Sequence, residues 1–251
     1  MRLESGPAAY DRNYYLAFLA LCLALGGYFF YDYAKGYRNK NLEKARETLI
    51  PLAQTANVTP GQIEQAIARE QPTLPEFKAA LEGAQSLEDI TAKVGQPMFQ
   101  RPDGDKTVYY FVSAYGMGVV TARKGEVLAN ESGWSTWFKS KDEIQLQLYM
   151  GLICMVVALY ALRGVYRAAT LRAVIDDEGM TYGGVHIPFE KMKRLCDYSP
   201  KGWVDLYYEA DDGQERRLRI DNQKIRKFDE IIETLCQIKG FEDPRKAAEK
   251  A

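Results

Sequence analysis

Two stretches limit what this chain can fold into. Asn13 to Tyr31, "NYYLAFLALCLALGGYFFY", runs 19 residues without a charge between Arg12 and Asp32. Ile144 to Leu162, "IQLQLYMGLICMVVALYAL", does the same between Glu143 and Arg163. At about 1.5 Å per helical residue each run spans roughly 28 Å, close to the thickness of a bilayer's hydrocarbon core. Tyr14 and Tyr15 mark one end of the first run, and Tyr28, Phe29, Phe30, Tyr31 and Tyr33 the other, as in an interfacial aromatic belt. Gln145 and Gln147 lie near the start of the second, where an interface tolerates them. The expectation is two transmembrane helices, over residues 13–34 and 144–163. A mean hydropathy of −0.34 hides them, because the apolar residues are concentrated in these two places. Bulky aromatics follow the first run where small residues would set up cleavage, so it reads as an uncleaved anchor rather than a signal peptide.

The spans divide the remainder into a tail over residues 1–12, a loop domain over 35–143 and a C-terminal region. In the loop, Leu42, Ala45, Leu49 and Leu52 recur at helical spacing, extending the first membrane helix into an amphipathic stem that Pro51 kinks or ends. "TPGQIEQAIARE" has a helix start at Thr59, with Pro60 at the first helical position and Gln62 completing a capping box. "LPEFKAALEG" predicts a further short helix, and "SLEDITAKVG" another, capped by Ser86 and Asp89 and stopped at Gly95. The pattern then turns β-branched and aromatic in "TVYYFVSAY" (107–115) and "GVVTARKG" (118–125), with "EVLANESGW" a candidate third strand. The loop is therefore expected to be an α+β domain, helices first and a small antiparallel meander last. Gly116 and Gly118 in "YGMGVV" are no nucleotide loop, since no helix follows and no third glycine comes.

After the second span, "LRAVID" predicts a strand, "MTYGGVHIPF" a hairpin, and "KMKRLCDY" a strand or a short helical turn. "GWVDLYYEA", "DDGQ" and "ERRLRI" form a strand–turn–strand unit. "NQKIRKFDEIIETLCQIKGF" is amphipathic, with Ile225, Phe228, Ile231, Ile232, Leu235 and Ile238 on one face, Asp221 or Asn222 as its cap and Gly240 as its stop. Over residues 170–240, the segments "DDEG", Ile187-Pro188-Phe189-Glu190 with Met192, "KGWVDLYYE" and "RLRID", followed by a terminal helix, resemble the bacterial PH-like domain attached to two membrane helices. The resemblance implies an antiparallel β domain closed by one α-helix, a bacterial cytoplasmic (inner) membrane, and an interaction or assembly role. It transfers no functional residue, because the motif is structural. Residues 241–251 form a charged tail.

Charge gives conflicting signals about orientation. Lys35, Arg38, Lys40, Lys44 and Arg46 follow the first span, and Arg163, Arg167 and Arg172 follow the second. Charges on long loops count less, which favours cytoplasmic termini with residues 35–143 outside. Cys22 and Cys154 lie in the spans, and Cys196 and Cys236 in the C-terminal domain, either free or paired. Lys plus Arg is 33 and Asp plus Glu 34, so no net charge draws the chain to nucleic acid.

Catalytic constellations are missing from the sequence. One His and four scattered Cys offer no metal-ligand spacing. That single His, His186, alternates between Val185 and Ile187 on an expected strand, so it reads as a surface side chain rather than a catalytic base. Asp103 and Asp105 in "RPDGDK" are turn residues. No cofactor is expected. Neither span carries Asp, Glu, Lys, Arg or His, which argues against a proton relay built by this chain. Gly26, Gly27 and Gly151 offer small surfaces for helix packing. The expectation is a non-enzymatic integral membrane scaffold or accessory subunit, with the bilayer, other membrane subunits or further copies of itself as partners. Trp134, Trp137 and Phe138 are candidates for a protein contact or for the bilayer interface. The alternative is a lipid-binding PH-like module or signalling adaptor presenting Lys191, Lys193, Arg194, Arg216, Arg217 and Arg219 to anionic headgroups. Residues 163–251 nevertheless carry 17 charges of each sign, the composition of a solvated face.

Overall fold

The computed structural model describes residues 2–56 and 58–248. The chain opens with strand β1 (Leu3–Ser5) and helix α1 (Ala9–Tyr31), which passes through a π-helical turn at Asp32–Gly36 into α2 (Tyr37–Thr55). Helices α3 (Pro60–Ile67), α4 (Leu74–Leu81) and α5 (Leu87–Val94) precede strands β2 (Phe99–Asp103), β3 (Lys106–Val112), β4 (Gly116–Arg123), β5 (Glu126–Val127) and β6 (Gly133–Thr136). Helix α6 (Lys141–Thr170) leads to β7 (Ala173–Ile175), β8 (Gly179–Tyr182), β9 (Val185–Pro188), β10 (Met192–Ser199), β11 (Trp203–Glu209) and β12 (Glu215–Asp221), then α7 (Phe228–Lys239) and α8 (Pro244–Ala248). The fold is α+β with antiparallel sheets, and two helical stretches, Ala9–Leu52 and Lys141–Thr170, are long and apolar enough to cross a membrane. The chain forms two compact units, Ala24–Cys154 and a second assembled from both terminal segments.

In the unit Ala24–Cys154, the helix starts follow the capping chemistry. Thr59 accepts the Gln62 N–H while Gln62 Oε1 takes the Thr59 N–H at 2.9 Å, and Ser86 and Asp89 repeat the exchange. The sheet runs β2-β3-β4-β5, and β6 pairs with the start of the same β4 edge whose end carries β5. Its faces are buried differently. Val108, Tyr110 and Val112 pack with Leu49, Ile63 and Ile67 of α2 and α3. Phe111 and Val120 pack with Phe77, Ala80 and Ile90 of α4 and α5. Helices on both faces explain why "TVYYFV" is continuously apolar instead of alternating. The glycines of "YGMGVV" are there for packing, since a Cβ on Gly118 would overlap the Phe77 ring and one on Gly116 the Trp134 ring. Pro51 sits inside α2 without ending it, because Leu49 and Leu52 on either side are held in the core. Asn41, 2% exposed, ties the stem to the start of α6: its Nδ2 donates to the carbonyls of Ala114 (3.1 Å) and Lys139 (2.8 Å), and its Oδ1 accepts the N–H groups of Phe138 (3.1 Å) and Lys139 (2.8 Å).

The N-terminal tail expected over residues 1–12 contributes a strand to the terminal unit. β1 pairs antiparallel with β7, Leu3 opposite Ile175 and Ser5 opposite Ala173, and opens a four-stranded sheet β1-β7-β8-β9. Ser5, fully buried, accepts the Lys227 N–H at 2.9 Å, and the Ala8 N–H donates to the Lys224 carbonyl at 2.9 Å. A three-residue strand with one apolar side chain gives no periodic signal, which is why the sequence hid it. Strands β10-β11-β12 form a second sheet, so "KMKRLCDY" is a strand. Phe228, Ile231, Ile232 and Leu235 of α7 close the core over Ile175, Met180, Ile187, Leu206 and Ile220. Gly183 and Gly184, at φ 58° and 89°, make the two-residue hairpin tip between β8 and β9. The expected cap of the last helix differs, because Asp221 accepts the Gln223 N–H in a turn and α7 begins only at Phe228 with no side-chain cap. Within the charged tail, Arg245 of α8 binds Asp229, Glu233 and Asp243, and these bonds hold the guanidinium pKa well above its usual value.

Candidate functional site: a basic cleft at the helix ends

The two long helices bury a narrow seam and little else. α1 buries Cys22 and Gly26, and α6 buries Gly151, Ala158 and Ala161, small residues at three- and seven-residue spacing. The Tyr15 ring sits 2.5 Å from where a Cβ on Gly164 would lie, and the Phe30 ring 3.0 Å from one on Gly151. Outside the seam the apolar faces stay bare, with Val156 67% and Leu159 64% exposed. Gly27 has open space around it.

At the terminal-unit ends of these helices the chain forms an open cleft of about 570 Å³. Arg163 and Arg167 of α6, one helical turn apart, share one wall; Arg219 of β12 and Lys224 of the following turn supply the other. Asp11 is the single carboxylate lining it. Among the described residues, neither Arg163 nor Arg167 forms an ion pair. Arg219 is preset: its guanidinium donates to the buried Asp205 at 3.0 and 3.2 Å and stacks on Trp203, 4.6 Å from the ring centre. Lys224 reaches Asp221 only at 3.9 Å. Tyr182, 7% exposed, also lines the cleft; the Asp221 backbone lies close to its hydroxyl, but not in hydrogen-bond geometry. Burial, with the Asp221 carboxylate nearby, pushes that hydroxyl up to about 12, so it stays protonated and able to donate. Four cations and one carboxylate line the cleft, and two of the cations, Arg219 and Lys224, already face Asp205 and Asp221. The cleft holds no nucleophile beside a base.

The basic residues singled out on the strands mostly lie elsewhere and are already paired. Lys191 binds Asp211, Lys193 binds Glu209 at 2.7 Å, Arg194 binds Glu215 at 3.0 Å, and Arg216 binds Asp212 at 2.7 Å. Arg217 reaches Asp205 at 3.5 Å. Only Arg219 of the six joins the cleft. The aromatic trio is also largely absorbed. Trp134 packs on Phe77, and Trp137 donates to the Ser113 carbonyl at 2.8 Å. Phe138 stays 42% exposed beneath the ammonium groups of Lys40 (5.1 Å) and Lys139 (5.7 Å). His186 is exposed on β9, its Nδ1 3.0 Å from Thr181 Oγ1 on the facing strand. Among the described residues no cluster of His, Cys, Asp or Glu is arranged to hold a metal ion. Sequence reasoning used Arg163 and Arg167 only for orientation and passed over Lys224, Tyr182 and Asp11. The run "RGVYRAATLR", basic and free of acids, was the available signal. Protein-family models, curated proteins and solved structures give no match to this chain.

Proposed function

We infer that the chain is an integral membrane protein that works by binding, as a scaffold or accessory subunit, rather than by catalysis. The seam of the two long helices carries this reading. Only 11% and 17% of their most apolar windows are buried, so these are not core helices of a water-soluble domain, and their bare flanks call for lipid or for apolar partner helices. The spans hold residues 13–34 and 144–163, both termini face the cytoplasm, and residues 35–143 lie outside. The PH-like resemblance has the support of seven antiparallel strands closed by α7. The rival reading, headgroup binding through the strand lysines and arginines as a group, loses support because five of the six, Lys191, Lys193, Arg194, Arg216 and Arg217, face acids and do not line the cleft.

Alkaline carbonate washing of membranes tests the anchor, and retention in the pellet is expected. Release into the supernatant would refute it. Thiol labelling of Cys196 in sealed vesicles, against a cysteine introduced in the loop domain, reads the orientation. Size measurement in mild detergent tests the subunit role: a larger assembly is expected, and a lone monomer refutes it.

A further inference from the structure

We propose that the cleft between the ends of α1 and α6 and the strands beside them binds the phosphate of an anionic phospholipid headgroup. Convergence carries the argument. Arg163 and Arg167 alone would be ordinary interfacial cations, and Arg167 also suits the negative end of its helix. They are joined, however, by Arg219 of β12 and Lys224 of the turn after it, around one open volume of about 570 Å³. That volume accommodates a headgroup. Among the described residues the two arginines face no acid partner, which leaves their donors available, and Arg219 is held by Asp205 and Trp203. Tyr182 lines the same cleft, its hydroxyl buried near the Asp221 backbone. Guanidinium forks match phosphate oxygens in pairs, the geometry that rewards arginine over lysine. The acyl chains then have a place to go: Tyr160 lines the cleft, and the exposed apolar face of α6 continues from it through Leu159 and Val156.

This inference rests on the membrane reading, and a soluble titration separates the two. The full chain, purified in mild detergent, is titrated with dioctanoyl phosphatidylglycerol, dioctanoyl phosphatidylcholine and inorganic phosphate. Saturable binding of the anionic lipid is expected, at least about tenfold tighter than the zwitterionic one. Arg163→Gln with Arg167→Gln should weaken it about 30-fold, equivalent to about 2 kcal/mol. Lys224→Gln lies outside the helices and should weaken it about fivefold, which keeps the test open if the double variant misfolds. Arg216→Gln, paired with Asp212 away from the cleft, should bind as the parent does. Equal affinity for both lipids, or a Lys224→Gln variant that folds and binds unchanged, overturns the proposal. Inorganic phosphate binding as tightly as the lipid would make this a soluble-phosphate site and overturn the lipid source. Failure of carbonate retention would sink the anchor while leaving this titration to decide the cleft.

Discussion

Asn41 offers the sharpest test of how the unit Ala24–Cys154 is held together. Its side chain makes four hydrogen bonds, two as donor to the Ala114 and Lys139 carbonyls and two as acceptor from the Phe138 and Lys139 N–H groups. All the donor and acceptor capacity of one amide is used, two N–H groups and two lone pairs. At about 1 kcal/mol net per bond, Asn41→Ala should cost about 4 kcal/mol, because it also leaves backbone groups unpaired in a partly dry site. Asn41→Asp keeps both accepting bonds but sets a buried carboxylate oxygen against the Ala114 and Lys139 carbonyls, so a loss at least as large is expected. For a unit of this size about 4 kcal/mol lowers the melting temperature by roughly 10 °C. Thermal unfolding of the full chain in detergent, followed by near-ultraviolet dichroism, reports it directly, since Trp137 donates to Ser113 beside Ala114. An alanine variant melting within about 2 °C of the parent would show that water replaces these bonds freely and that the clamp is not structural.

Other substitutions probe the packing and the ionised caps. Gly118→Ala drives a Cβ into the Phe77 ring and should destabilise by about 2 kcal/mol in the same melt, whereas Gly133→Ala meets open space and should change little. Gly164→Val pushes into Tyr15 at the seam, so cysteine pairs placed across α1 and α6 near that level should cross-link less. The carboxyls of Glu76 and Asp89 are held below their usual range by backbone N–H groups of Thr73 and Ser86. Depressed carboxyls stabilise the fold fully above their unfolded values, and that stability disappears as pH falls through the folded ones. The melting temperature should therefore drop as pH falls below the ordinary glutamate value of 4.5, and Glu76→Gln should flatten that limb while lowering the plateau. Deleting residues 2–7 should leave β7 an open edge and speed proteolysis of the terminal unit.

Much of this architecture was legible in local signals. The capping boxes at Thr59 and Ser86 and the glycine pair at 183 and 184 are encoded within four residues, and they appear where their chemistry puts them. The amphipathic faces of the stem and of α7 are set by periodicity alone. What stayed hidden depends on distant partners. β1 has no pattern of its own and exists because β7 offers it an edge after a separation of about 170 residues. The cleft likewise needs the ends of two helices, a strand and a turn to meet, and no spacing in the sequence encodes that. The balanced charge count over 163–251 pointed to a solvated face, and the acids facing Arg194, Arg216 and Arg217 stand across the sheet or the turn from them.

The same pairing bears on the contradictory charge bias around the two spans. Of the five basic residues that follow the first span, three are taken up inside the folded unit: Arg38 faces Glu70, Lys44 faces Glu47 and Arg46 faces Glu64. A cation paired within its own domain contributes little to the field that an anionic leaflet reads. Arg163 and Arg167, after the second span, have no such partners among the described residues. Arg172 faces Glu4 at 3.0 Å, so among the described residues two cations stay without acid partners after each span, Lys35 and Lys40 against Arg163 and Arg167, and the charge bias is balanced. The register of β1 on β7 adds an argument that does not depend on charge. Leu3 opposite Ile175 brings the start of α1 and the end of α6 to one sheet, so whatever bilayer these helices cross, they cross it as a hairpin. The cleft lies at that closed end, lined by Asp11 after β1 and Leu171 before β7.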